Sequence, residues 1–285
     1  MLLKVFVMIV LVLVVTFTSI TLYGTSRWKA GTKELRDRLE TSRVAVQPQL
    51  VHFDEIDKLP APVQRYFRKT LQERQPMVAG VRIQHRGTFN LSETGEQWKP
   101  FTSDQQVITQ RPGFDWNGRI TILPGIPVLV HDAYIAGEGI LQAALFGLFS
   151  LANLQGTGDI AKGELMRFFA EAAWYPTALL PSQGIHWEAI SDRSAQGTLT
   201  DSDVNITLLF TFNEQDLIES VQAEARGRTV GEKIIPTPWY GRFWNYEERS
   251  GMQVPINGEV AWSLPDGAKP YWRGSIIEII YEFAR

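Results

Sequence analysis

No cysteine occurs anywhere in the 285 residues. That absence excludes disulfide staples, thiolate catalysis, iron–sulfur clusters and cysteine-ligated zinc. It also excludes a lipid-modified N-terminal cysteine, so membrane attachment has to come from the polypeptide itself. A basic excess is missing too: 28 Lys and Arg stand against 31 Asp and Glu, a net charge of -3. A nucleic-acid partner therefore has no electrostatic support. Histidine is scarce, and His52, His85, His131 and His186 form neither H-x-x-x-H nor H-E-x-x-H. No metal site of that spacing follows, and no cofactor is expected. There is no G-x-S-x-G elbow. The glycines of residues 156–163 lack the Gly-Lys-Ser/Thr order of a phosphate loop, and read as a loop joining two helices.

What is present begins with VFVMIVLVLVVTFTSITLY, residues 5–23, which carry no charge. At helical rise this length crosses most of a bilayer core of about 30 Å. Lys4 could serve a secretory signal, but the stretch is long and no A-x-A pattern follows it, so it reads as an uncleaved anchor. Arg27, Lys29, Lys33, Arg36 and Arg38 outnumber Lys4, and the positive-inside rule would keep the domain cytoplasmic. Glu34, Asp37 and Glu40 are mixed among them, however, and a long domain can translocate despite its charges. The expected organisation is an anchor over 1–25, a charged helical linker over 26–56 and a single α+β domain over 57–285.

Past a helix at 26–42, a second short helix starts near Asp57, with Pro60 and Pro62 in its first turn. Its apolar positions are Val63, Tyr66, Phe67 and Leu71. From Val81 the hydrophobic period becomes two, as in a strand with one buried face. Further strands follow at short intervals, separated by Pro112-Gly113, Ser250-Gly251 and Pro265-Asp266-Gly267. Such spacing predicts an antiparallel meander rather than a βαβ sheet. The predicted fold is one large curved antiparallel sheet, half-barrel-like, with helices on its concave face. Those helices are expected at 139–154, which has no charge, and at 163–174, which sets Leu165, Phe168 and Phe169 against Glu164, Arg167 and Glu171. Glu138 reads as a first-turn or capping residue of the apolar helix, and Glu171 as solvated or paired with Arg167.

The segments LPAPVQRYFR, RPGFDWNGRI, HDAYIAGEG, AEAAWYPTALLP, VPINGEVAW and PYWRG together resemble an uncharacterised bacterial family of unknown function, from Leu59 to the C-terminus. Its established properties supply no activity or catalytic residues to carry over. In architecture, the Pro-Gly-Phe-x-Trp strand end and the Leu-Leu-Pro corner are similar to lipoprotein-carrier folds such as LolA and LppX. That resemblance implies a half-barrel whose helices close an acyl-chain cavity, and it implies an extracytoplasmic domain.

The aromatics fit such a cavity, because amphipathic rings suit an apolar rim. Phe146, Phe149, Phe168, Phe169, Trp174, Tyr175 and Trp187 are the candidate lining residues. Arg65, Arg119 and Arg273 are candidates for a polar headgroup. The reading is a membrane-anchored binding protein for a lipid or other apolar small molecule. One alternative is a hydrolase of an apolar substrate with His131 or His186 as base; another is a structural or partner-binding module. His131 and Asp132 are neighbours on a strand and point to opposite faces, so they would not meet.

Overall fold

In the computed structural model, which describes residues 1–92, 95–231 and 233–284, the chain opens with one helix, α1, over Leu2–Thr41. Its apolar first half is exposed along its whole length. Its second half is amphipathic for a reason visible in the spacing: Trp28, Thr32, Leu35, Arg36 and Leu39 recur every three or four residues and share one face. Helix α2, Ala61–Thr70, begins on Pro60 and Pro62 and buries Val63, Tyr66 and Phe67.

Among the described residues the sheet has 13 strands. The first six, β1 (Val78–Asn90), β2 (Trp98–Ile108), β3 (Gly113–Leu123), β4 (Ile126–Ile135), β5 (Glu138–Leu145) and β6 (Phe149–Gly156), form one meander. Helix α3, Asp159–Glu171, and turns of 3-10 helix as far as Gln183 follow. The second arm holds β7 (His186–Ser191), β8 (Ser194–Asp201), β9 (Val204–Phe212) and β10 (Ile218–Val230), then β11 (Lys233–Arg249), β12 (Met252–Leu264) and β13 (Gly267–Phe283). Every pairing is antiparallel, and β1 joins β13 to unite the arms in the order β6-β5-β4-β3-β2-β1-β13-β12-β11-β10-β9-β8-β7.

The sheet must curl, because α3 packs against β3 to β6 on one arm and against β9 and β10 on the other. Only a trough lets one short helix reach both arms. Beyond α3, Asp201 ties them again, accepting Tyr134 Oη at 2.7 Å and Arg111 Nε at 2.7 Å.

The apolar run at 139–154 is not a helix. It forms β5 and β6, joined by a turn in which Phe146 and Gly147 both have positive φ, 54° and 72°. Both faces of β5 are covered: Ile140 lies in the cluster beneath α1, while Leu141 and Ala143 face the concavity. A strand covered on both faces needs no alternating polar residues, so it looks like a buried helix. Two smaller expectations fall with it. Of residues 156–163, only Thr157 and Gly158 form a link, from β6 to α3 rather than between two helices, and Glu138 opens β5, where it accepts from Arg38 at 2.9 Å.

The outer face of the sheet carries the second half of α1. Leu35 and Leu39 pack with Ile108, Ala133, Ile135 and Ile140. Beside them lies a polar lock. His131 Nδ1 meets Asp115 Oδ1 at 2.7 Å, its Nε2 meets Thr32 Oγ1 at 3.0 Å, and its ring stacks on Trp28. Trp28 Nε1 donates to Asn117 at 2.9 Å, and Arg36 donates to Asp115 at 2.9 Å and Asp104 at 2.6 Å. Buried polar groups are tolerated here because each finds a partner.

Candidate functional site

Between the arms lies a cavity of about 810 Å³. One wall is Trp116, Ile120, Val130 and Leu141 on β3 to β5; the facing wall is Trp239, Phe243, Trp262 and Trp272 on β11 to β13. Leu91, Leu151, Ile234 and Leu264, at or beside hairpin turns, line its open end.

The tryptophans follow a local rule. Trp116-Asn117-Gly118, Trp239-Tyr240-Gly241 and Trp272-Arg273-Gly274 share a W-x-G pattern, which puts indole and glycine on the same face of a strand. At Gly118 a Cβ would fall 2.2 Å from the Trp116 ring, and at Gly274 2.4 Å from the Trp272 ring. The missing side chain lets each of these two indoles lie flat along its strand as wall. This repeated pattern was available in the sequence as a signal for the cavity.

The floor is the polar side of α3. Gly163, Glu164, Arg167, Ala170 and Glu171 line the cavity, whereas Leu165, Phe168 and Phe169 are buried elsewhere in the core. The face that composition marks as solvent-facing therefore points into the protein. Arg167 donates to Asp132 and, at 2.7 Å, to Glu171, with its guanidinium 5.0 Å from the Phe114 ring centroid and 5.1 Å from that of Trp116. Burial opposes its charge, but the carboxylates of Glu171 and Asp132 outweigh that and hold its pKa above the ordinary arginine range. Arg226 reaches Glu164 at 3.4 Å and lies over Trp239. Burial, and then the charge of Asp132, push Glu164 well above the usual carboxylate range. Two buried donors on the cavity wall, Trp116 Nε1 and Trp174 Nε1, have no protein acceptor.

Of the residues expected to line the site, only Trp174 does so among those described. Phe146 is in the β5–β6 turn against Phe17, and Phe149 is exposed on β6. Phe168 packs on Tyr175, whose hydroxyl donates to the Phe168 carbonyl at 2.7 Å. Phe169 and Trp187 both pack on Phe210, and Trp187 Nε1 donates to the Leu179 carbonyl at 3.0 Å. These are fillers between α3 and the second arm. Arg65 pairs with Asp216 at 2.8 Å, Arg119 is exposed, and Arg273 pairs with Glu259 at 2.7 Å while lying over Trp98.

The histidines are spread out. His131 belongs to the α1 lock, His52 is exposed, and His186 is exposed beside Glu188 at 3.3 Å. His85 is buried between Trp174 and Trp272, and burial together with the charge of Arg167 lowers its pKa to about 3. No group of His, Cys, Asp and Glu fit to hold a metal occurs among the described residues.

Residues 57–281 match a family described as of unknown function, DUF6920, and the chain belongs to it. No curated protein matches the sequence. Among solved structures, the chain is similar to a LolA superfamily protein from Nitrosomonas europaea at 12% identity, over 83% of this chain and 93% of that one, with a TM-score of 0.31. It is also similar to a beta-barrel-like protein of the domain of unknown function DUF1849 from Brucella abortus. There the identity is 10%, over 72% of this chain and 99% of that one, with a TM-score of 0.21.

Proposed function

We propose that this DUF6920 member is a membrane-anchored binding protein that holds one amphipathic lipid, or a similar apolar molecule, between the two arms of its sheet. The observation that carries the reading is the cavity: about 810 Å³, walled largely by aromatic and aliphatic side chains, with Asp132, Glu164, Arg167, Glu171 and Arg226 grouped at its floor and Glu96 and Lys269 near the hairpin turns. That volume falls within the range of small-molecule sites, which are mostly apolar with a few placed polar groups. Acyl chains lying along the tryptophan walls gain about 0.8 kcal/mol per buried CH₂. A polar end at the floor meets Arg167 and Arg226. Trp174 is the one residue shared by the expected and the observed lining.

The anchor is α1. Its apolar half is exposed to the surroundings, as a bilayer segment is. Its docked half supports retention, since cleavage after residue 23 would cut a continuous helix whose next turns are locked to the sheet.

Lipid extraction of the purified full-length chain tests the reading. Gly241 lies on the cavity wall, and a Cβ at that position would have its nearest neighbour 3.9 Å away, so Gly241→Phe fills space without a backbone clash. We expect an amphipathic species at one copy per chain in the native protein and its loss in Gly241→Phe, with both folded. Equal lipid content in the two proteins would overturn the proposal, because lipid then adheres to α1 alone.

A further inference from the structure

We infer that the open end of the cavity rests on the bilayer, with the β3–β4 and β5–β6 turns dipping into the boundary between headgroups and acyl chains. The path of α1 carries the argument. Leu39 lies against Gly113 at the start of β3, and Arg38 bonds Glu138 at the start of β5. Farther back, Thr32 and Trp28 hold His131 midway along β4. Gly24 then lies so close to the β5–β6 turn that a Cβ would fall 2.0 Å from the Phe146 carbonyl oxygen. Finally, Phe17 meets Phe146, with ring centroids 5.7 Å apart, and approaches Gly125 of the β3–β4 turn. The helix therefore runs antiparallel to β3 and β5 and leaves the domain over their turns.

Phe17 lies inside the uncharged run, six residues before Tyr23, or about 9 Å along the helix axis. Turns that touch Phe17 must share its depth. Interfacial helices bury their apolar faces to about 5–10 Å, which matches.

Antiparallel order places the β1–β2, β10–β11 and β12–β13 turns at this same end. Exposed apolar side chains gather here: Leu91, Leu123, Phe149, Leu151, Ile234 and Ile235. Leu91, Leu151 and Ile234 also line the cavity, so its open end faces the membrane. Leu91, Leu151 and Ile234 then offer an apolar path from bilayer to cavity, beside Glu96 and Lys269 at the same end, and a lipid can enter along it. The seating rests on α1 being an anchor, as proposed above, but not on what the cavity holds.

The absence of native cysteine makes the test direct. Single substitutions Leu11→Cys, Leu123→Cys, Ile235→Cys and Gln215→Cys in the full-length chain carry an environment-sensitive fluorophore. Each protein is placed in phosphatidylcholine nanodiscs with or without doxyl-labelled phosphatidylcholine. Leu123 and Ile235 do not line the cavity, so a lipid held there does not reach their labels. We expect quenching of at least twofold at positions 11, 123 and 235 and none at 215, in the native background and equally with Gly241→Phe. Quenching at position 11 alone overturns the seating and leaves the lipid-holding proposal standing. Absence at position 11 overturns the anchor and the seating with it. Labels at 123 and 235 that are shielded from water yet unquenched would mean that a protein covers the tips, which also overturns it.

Discussion

Trp28 and His131 stack with their ring centroids 4.6 Å apart and their planes within 15° of parallel, one on the helix and the other on the sheet. Trp28 also donates to Asn117 at 2.9 Å, so a single side chain fixes both the rotation and the height of α1. Trp28→Ala should cost about 3 kcal/mol, from lost aromatic burial and an unpaired Asn117. Thermal unfolding in detergent would show the loss. Trypsin should cut at Lys29 and Lys33 at least tenfold faster, because the freed helix no longer protects them.

Two glycines of α1 should respond in opposite directions. At Gly24 an added Cβ collides with the Phe146 carbonyl, whereas at Gly31 nothing lies within 4 Å. Gly24→Ala should destabilise docking by about 1–3 kcal/mol, as overpacking does. Gly31→Ala should stabilise by about 0.5–1 kcal/mol through helix propensity. Denaturant titration of the pair measures both signs, and the same sign for both would contradict the close approach.

His85 supplies a pH dependence. Its ordinary value of 6.5 falls to about 3 in the fold because burial, and then the charge of Arg167, disfavour the imidazolium. The unfolded chain takes up a proton near 6.5, and the folded chain does so only near 3. This contribution is therefore fully present above 6.5 and declines as the pH drops toward 3, by up to about 1.4 kcal/mol per unit. Glu164, with its pKa raised, contributes in the opposite sense: its stabilisation is present at low pH and lost as the pH rises. Comparing native stability with that of His85→Gln from pH 7.5 to 4.5 isolates the histidine, and the difference should shrink on acidification.

Arg167 bridges Asp132 and Glu171 inside the protein. Arg167→Met should cost about 3–5 kcal/mol, mostly from stranded carboxylates. Adding Asp132→Asn and Glu171→Gln should recover most of that loss in chemical denaturation. Failure of the triple variant to recover would mean that packing over Phe114 and Trp116, not charge, is what Arg167 supplies.

Strands with one wet face are legible as sequence, as β1 shows, where Ile83 and His85 alternate with Arg82, Gln84 and Arg86. The helix at α3 is legible too, and so is the turn of Trp174-Tyr175-Pro176 back toward the sheet. β5 is not, because α1 covers its outside and the polar half of the alternation disappears; β6 is not, because it keeps Phe149 and Leu151 at exposed positions. The turn between them gives no help: Phe146 occupies a positive-φ position where Asn or Gly would announce a hairpin. The lining of the site is hidden on α3 for a related reason. Amphipathicity tells which side of a helix is apolar, but not that its polar side faces an enclosed space. Phe168 and Phe169 read as lining on that ground, while Glu164, Arg167 and Glu171 hold the position.

The pairing of β1 with β13 has a consequence for how the chain is made. β1 sits near the middle of the sheet, yet one of its two neighbours is the thirteenth of the described strands in chain order, Gly267–Phe283. Until that strand is made the first arm exists with an unpaired inner edge, and unpaired edges are templates for aggregation. The C-terminal segment is therefore a central seam rather than a margin. A chain ending at residue 266 would lose not an outer strand but the join between its halves.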